Sequence, residues 1–190
     1  MFGVRIHGRG GQGVVTAAEL LSVAGFIDGH EAQAFPSFGS ERMGAPVTAF
    51  CRLDDRIIRL REPVTEPDCV IVGDATLLHH VDVFAGLRPG GFVLVNSTHS
   101  WSGLGLDDLL SVSSEDRLVT LPATDIARRT LGRPLPNPPL LGAFCALTAT
   151  VGLDALERAL EQRFSGALAQ GNLAATREGF VAITERLIHA

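Results

Sequence analysis

Ile6-His7-Gly8-Arg9-Gly10-Gly11-Gln12-Gly13-Val14-Val15-Thr16-Ala17-Ala18-Glu19 decides how the chain begins to fold. Phe2 to Ile6 before it reads as a strand, and the small and aliphatic residues from Val14 to about Ala24 read as a helix, so the glycines form a strand-to-helix turn. Such a turn bends tightly and aims several backbone N–H groups at one point, where the helix start adds partial positive charge. Such a turn can hold an anion, the alternatives being a partner contact and a purely structural bend. The turn also spells Gly8-x-Gly10-x-x-Gly13, the dinucleotide fingerprint, which carries meaning only in the right surroundings.

Working outward, Gly25 and Gly29 bracket a turn into a second strand near Glu31 to Phe35. Val47 to Leu53 and Arg56 to Leu60, separated by Asp54-Asp55, read as the arms of a β-hairpin. A buried strand follows at Cys69 to Val72, then a helix around Leu77 to Leu87, a strand at Phe92 to Val95, and another at Leu118 to Leu121 leading to a helix that Thr124 would cap and Asp125 would complement. Gly132 to Pro139 closes this alternating part. Leu153, Leu156, Leu160 and Phe164, and then Phe180, Ile183 and Leu187, recur at helical spacing. The fold class is therefore α/β, a Rossmann-like three-layer fold in one domain over residues 1–190, with a mixed, mostly parallel sheet and C-terminal helices.

At 46% hydrophobic and 19% charged residues, the chain is more apolar than a free-standing domain of this size requires, and part of the surplus is assigned to an interface. A net charge of −5 with scattered basic residues argues against nucleic acid, and no apolar run approaches a membrane span. The start at strand-like Phe2 leaves no room for a signal peptide, so the reading is cytoplasmic. All 16 basic residues are arginine and tyrosine is absent, which removes lysine bases, Schiff-base lysines, a Walker lysine and tyrosine acids. Cys51, Cys69 and Cys145 lie far apart without any C-x-x-C, so they read as buried thiols and not as cluster ligands.

The second informative segment is Gln33-Ala34-Phe35-Pro36-Ser37-Phe38-Gly39-Ser40-Glu41-Arg42-Met43-Gly44-Ala45-Pro46-Val47. Together with the glycine turn, with Ile57-Ile58-Arg59 after the two aspartates, and with Asn137 through Phe144, it resembles the gamma subunit of 2-oxoacid:ferredoxin oxidoreductases, the pyruvate type most of all. The match runs over nearly the whole chain. The resemblance implies a subunit, inactive alone, of a complex that oxidatively decarboxylates a 2-oxoacid to an acyl-coenzyme A and carbon dioxide. It implies alpha, beta and ferredoxin-like delta partner subunits that carry thiamine diphosphate, magnesium and the iron–sulfur clusters, and ferredoxin or a flavin–NAD subunit as electron acceptor.

Family members place polar or basic residues in the Ser37–Gly44 loop, beside the coenzyme A channel of the assembled enzyme. On that similarity Arg42 is a candidate for the coenzyme A phosphates and Ser40 for a neighbouring hydrogen bond; Gly8, Arg9, Gly10, Gly11, Gln12, Gly13 and Gly44 are the further cofactor-binding candidates. Glu41 stands where a second positive charge would help, and Arg42 could instead pair with Glu41 or a neighbouring chain.

A scaffold subunit without a catalytic part is the alternative. An NAD(P) dehydrogenase is the rival for the glycine turn, and it requires an acidic residue after the second strand, a part that only Asp28 or Glu31 could take. Gly73-Asp74-Ala75 with Asn96 is similar to a thiamine-diphosphate motif, but Ala75 replaces a glycine, and Asp74 also reads as a helix N-cap. The histidines form no metal-spaced cluster; His7 leads into the glycine turn and could orient it, and Trp101 reads as a packing plug or an interface anchor.

Overall fold

Phe2, Val4 and Ile6 alternate with Gly3, Arg5 and His7, which demands a strand with two different faces. In the structure, a computed structural model describing residues 1–37 and 43–189 (His189 in its backbone alone), that strand is β1 (Phe2–Arg9). It continues through His7, Gly8 and Arg9 past its expected end. There follow α1 (Val14–Ile27), β2 (Glu31–Pro36), β3 (Pro46–Asp54), β4 (Cys69–Val72), β5 (Phe92–Asn96), β6 (Leu118–Leu121), α2 (Ala123–Leu131), α3 (Asn137–Thr148), α4 (Leu153–Arg163) and α5 (Gly166–His189). The strands form a 6-stranded sheet in the order β2-β3-β1-β4-β5-β6. β3 is antiparallel to β1 and β2, whereas β1–β4, β4–β5 and β5–β6 are parallel, so β3 alone runs against the others. The sheet is mostly parallel, as the alternation implies, and it is mixed because β3 pairs antiparallel with β1 and β2.

The hairpin expected around Asp54-Asp55 does not form. Arg52 of β3 faces Gly3 on one side and Gln33 on the other, so both hydrogen-bonding edges of β3 are occupied and Arg56–Leu60 has nowhere to pair. The hairpin partner of β3 is β2, joined to it through the 37–45 loop.

The helix expected around Leu77–Leu87 is also absent. A short 3-10 turn, Ala75–His79, is started by Asp74, whose carboxylate accepts the Thr76 N–H, and irregular chain follows. The buried Arg5 guanidinium takes the carbonyls of Val83 and Ala85, which a helix would need for its own ladder. Leu77, Val83 and Leu87 still reach the core, so the apolar spacing marked burial without marking helix.

Three local readings also change. Gly25 lies inside α1, where a Cβ would meet Leu53 Cδ2 at 2.3 Å, so it serves close packing and only Gly29 makes the turn. Thr124 does not cap α2; its hydroxyl and N–H both bind the Asn96 amide, while Asp125 does sit in the first turn. α3 begins inside the proline-rich passage, with Pro138 and Pro139 at its start, where a missing N–H costs nothing.

One face of the sheet packs on a core built with α1 and α3, with α4 and α5 contributing Leu156, Leu160, Leu173 and Ile183. On the other face Val70, Val72, Val93 and Val95 are covered by Leu77, Val83 and Leu87 and by half-buried Trp101, whose indole N–H donates to the Leu106 carbonyl at 2.9 Å. Trp101 is thus a packing plug. Helices α3 and α5 cross at glycines: a Cβ on Gly142 would lie 1.9 Å from the Thr176 oxygen, and one on Gly179 2.0 Å from the Pro139 oxygen. Two backbones in contact leave no slack for a methyl group. Gly142→Ala or Gly179→Ala is expected to cost about 1–3 kcal/mol through overpacking. Urea unfolding of each variant checks this, and unchanged stability would show that the crossing can open.

Candidate functional site

The helix start that the glycines expose has no side-chain cap among the described residues. Gly13, the N-cap of α1, has φ 75°, and Gly11 has φ 90°, values that L side chains rarely adopt. The first turn of α1 holds no acidic residue. The N–H groups of Val14, Val15 and Thr16 precede the first intrahelical bond, Ala17 N–H to Gly13 O, and those of Gly11 and Gly13 have no acceptor among the described residues. They open on a cleft of about 510 Å³ lined by Arg9, Val15, Thr16, Met43 and Val47.

The polar side chains of the turn bond to neighbouring segments. Gln12 accepts the Arg9 N–H through Oε1 (2.7 Å) and donates from Nε2 to Asp74 (3.0 Å). Arg9 pairs with the same Asp74 oxygen at 3.2 Å and donates to Thr76 Oγ1 and to the Gly44 carbonyl. Burial alone would raise the Asp74 carboxyl, but the Thr76 hydroxyl and N–H, the Gln12 amide and the Arg9 charge outweigh it and hold Asp74 below the ordinary carboxylate value. From the opposite side Asn137, the first residue of α3, donates its amide to the Gln12 carbonyl. The turn is thereby fastened to β4 and to α3.

The 37–45 loop ends on the same turn. Gly10 N–H donates to the Ala45 carbonyl at 2.8 Å and Gly44 N–H to the Gly10 carbonyl at 3.1 Å. The two segments singled out in the sequence, over thirty residues apart, therefore meet. Gly8 lets α1 start close against β1, since a Cβ there would lie 2.5 Å from Val14 Cγ2. Gly8, Arg9, Gly10, Gly11, Gln12, Gly13 and Gly44 all lie in this arrangement; Ser40 and Arg42 lie outside the described residues. A second cleft of about 550 Å³ lies at the carboxyl ends of β1, β4 and β5, between Gln12, Asp74, Thr76 and Asn96 on one side and Pro134–Pro136 on the other. Asp74, Thr76 and the Asn137 side chain were not read as site residues. Their signal, a polar side chain just past a strand or ahead of two prolines, also serves ordinary capping.

The dehydrogenase reading finds no ribose carboxylate. Asp28 accepts the Gly152 N–H at the start of α4 (2.7 Å), and Glu31 opens β2 on the sheet edge, away from the glycine turn, because β3 separates β2 from β1. Cys51 and Cys69 both face Val4 in one row of the sheet, two strand spacings apart, which is beyond disulfide reach. Burial raises all three thiols, that of Cys145 to about 12. Among the described residues no three His, Cys, Asp or Glu converge as a metal site, and no helix is long and apolar enough to cross a membrane.

The description "Pyruvate ferredoxin/flavodoxin oxidoreductase" belongs to a family whose sequence model matches residues 3–182. The chain belongs to this family. It is 47% identical over 180 residues to a Pyrococcus abyssi protein named as the common gamma subunit of pyruvate/ketoisovalerate oxidoreductases, covering 95% of this chain and 96% of that one. Among solved structures it resembles the pyruvate oxidoreductase subunit PORC of Thermotoga maritima, at TM-score 0.80 and 35% identity over 95% of each chain. The same fold recurs, at TM-score 0.74 and 17% identity, within a 2-oxoglutarate:ferredoxin oxidoreductase of Magnetococcus marinus solved with 2-oxoglutarate, coenzyme A and succinyl-CoA, where it spans 32% of that chain. This chain is thus a gamma subunit of the 2-oxoacid:ferredoxin oxidoreductase type, one part of a multi-subunit enzyme.

His7, at the root of the turn, has its carbonyl bound by the Gly73 N–H (2.7 Å) and its ring nitrogen Nδ1 3.3 Å from the Thr48 hydroxyl. Burial first, then the neighbouring Arg5 charge, lowers its pKa from 6.5 to about 4. The unfolded chain therefore binds a proton that the folded chain refuses: the stabilising contribution is complete above about pH 6.5 and is lost as the pH falls towards 4. His7→Gln should flatten the decline of stability over that window, measured by urea midpoints at successive pH values. An unaltered slope would mean that His7 titrates normally.

Proposed function

We propose that this gamma subunit supplies part of the coenzyme A site of its complex, with the glycine turn holding phosphate oxygens and the 37–45 loop closing over them. The observation that carries the reading is the start of α1, where Gly11, Gly13, Val14, Val15 and Thr16 line one cleft and their N–H groups have no acceptor among the described residues. A diphosphate suits such a start, because fixed dipoles bind it without bringing a mobile cation. Asp74, the carboxylate tied to the turn, is neutralised by Arg9 and so does not repel an anion. In this reading Arg42 binds a phosphate and Ser40 makes a neighbouring hydrogen bond, the roles that the family resemblance gives them.

In the same reading the complex oxidatively decarboxylates a 2-oxoacid to acyl-coenzyme A and carbon dioxide. Alpha and beta subunits hold thiamine diphosphate and magnesium, a ferredoxin-like delta subunit holds the clusters, and ferredoxin or a flavin–NAD subunit takes the electrons in the cytoplasm. Support for leaving the oxoacid to other chains comes from the Pyrococcus relative, whose name makes it common to pyruvate and ketoisovalerate enzymes.

Gly11→Val, strained at φ 90° and pressed against Met43, should raise KM for coenzyme A at least tenfold in the assembled enzyme while KM for the 2-oxoacid stays nearly constant. Arg42→Ala should weaken coenzyme A use by about 1.5–3 kcal/mol, the loss of a charge-assisted contact. Unchanged coenzyme A constants in correctly assembled variants would reject the site, and nicotinamide binding by the chain alone would restore the dehydrogenase reading.

A further inference from the structure

Arg56-Ile57-Ile58-Arg59-Leu60-Arg61 has the composition of a strand and no strand to pair with. The chain leaves β3 at Asp54, whose carboxylate holds the N-terminal ammonium at 3.1 Å. It returns at Glu62 and Pro63, whose carbonyls accept from the buried Arg52 guanidinium. Between these two fixings the segment bows away from the sheet. Among the described residues, no backbone N–H or C=O from Ile57 to Arg61 has a hydrogen-bond partner within the chain.

Ile58 is half-buried, and the other side chains of the segment are exposed. Ile57 is 71% exposed and Leu60 44% exposed, and Arg56, Arg59 and Arg61 form no ion pair among the described residues. A β-branched, unpaired and exposed stretch is a liability in a lone protein, since it offers a ready ladder to another chain. Three arginines within it, on a chain of net charge −5, set the charge of what it meets.

We propose that residues 56–61 add as a strand to an exposed sheet edge of another subunit of the oxidoreductase complex, an edge that faces the arginines with acidic side chains. Main-chain hydrogen bonds would supply the affinity and the arginine–carboxylate contacts the choice of partner. A second copy of this chain fits poorly. Its free edges are β2, whose one acidic residue is Glu31, and β6 (Leu118–Leu121), which has none. Two copies of the segment itself would oppose arginine to arginine when antiparallel. The proposal stands on the multi-subunit nature of the family and is independent of the coenzyme A site.

The test is amide hydrogen exchange on the full-length chain alone and in complex with its co-expressed alpha and beta subunits. Amides of Ile57–Arg61 should exchange at least tenfold more slowly in the complex. Ile58→Pro, which removes a ladder donor, and the triple change R56E/R59E/R61E should each weaken subunit association at least tenfold, the wild-type association weakening as salt rises. Exchange uses the unaltered chain, so it decides the matter whatever the variants do to folding. Equal exchange in both states, wild-type association of folded variants, or protection already present in a self-associated chain would each overturn the proposal.

Discussion

Occupation of both edges of β3 is the constraint from which the rest of the molecule follows. An antiparallel strand between β1 and β2 moves β2 outward, so the position where a dinucleotide fold places its ribose carboxylate is no longer beside the glycine turn. Because β3 runs against β1, its first residues, Pro46 and Val47, lie opposite Arg9 and Gly8 at the carboxyl end of β1. The 37–45 loop must therefore arrive at the glycine turn. The residues after β3 are meanwhile excluded from the sheet.

Polar groups then set the shape of the turn. Gln12 and Arg9, named from the sequence among the site residues, have their polar heads engaged within the chain, because Asp74 at the end of β4 and the Gly44 carbonyl offer acceptors within reach. The groups of the turn left without a partner among the described residues are backbone N–H groups, and Arg9 lines the cleft beside them. The arginines of the sheet act similarly on a larger scale: Arg5 gathers the carbonyls of Val64, Val83 and Ala85, and Arg52 those of Glu62 and Pro63, so that irregular chain is held against the strands without a helix. Each such bond is charge-assisted and buried or partly buried, where a lost partner is costly. Four buried atoms on this face, Arg5 Nε, His7 Nε2, Gln33 Oε1 and Arg52 Nη1, still lack a partner among the described residues.

On the opposite face small residues govern the packing. Ala17, Ala18 and Ala24 of α1 are nearly without exposure, and Gly142 and Gly179 let α3 and α5 touch backbone to backbone. These helices have little intrinsic advantage from glycine, which lowers helix propensity. They are held by tertiary contact.

By itself the sequence determined the parts whose cause is local. The apolar runs of β1, β4, β5 and β6, the helical spacing of Leu153, Leu156 and Leu160, the glycine turn and the family signature were all legible, because periodicity and backbone freedom act within a few residues. Phe164 fell just beyond α4, an error at a boundary. Tertiary structure decided what depends on a competitor for the same atoms. Arg56–Leu60 has the pattern of a hairpin arm, but β1 already holds the edge of β3 that it would need. Leu77–Leu87 has helical spacing, but Arg5, over seventy residues earlier, takes its carbonyls. The union of the glycine turn with Gly44 and Ala45 and its fastening to Asp74 and Asn137 likewise join residues far apart in the chain, and hydrogen bonds of that span leave no periodicity to read.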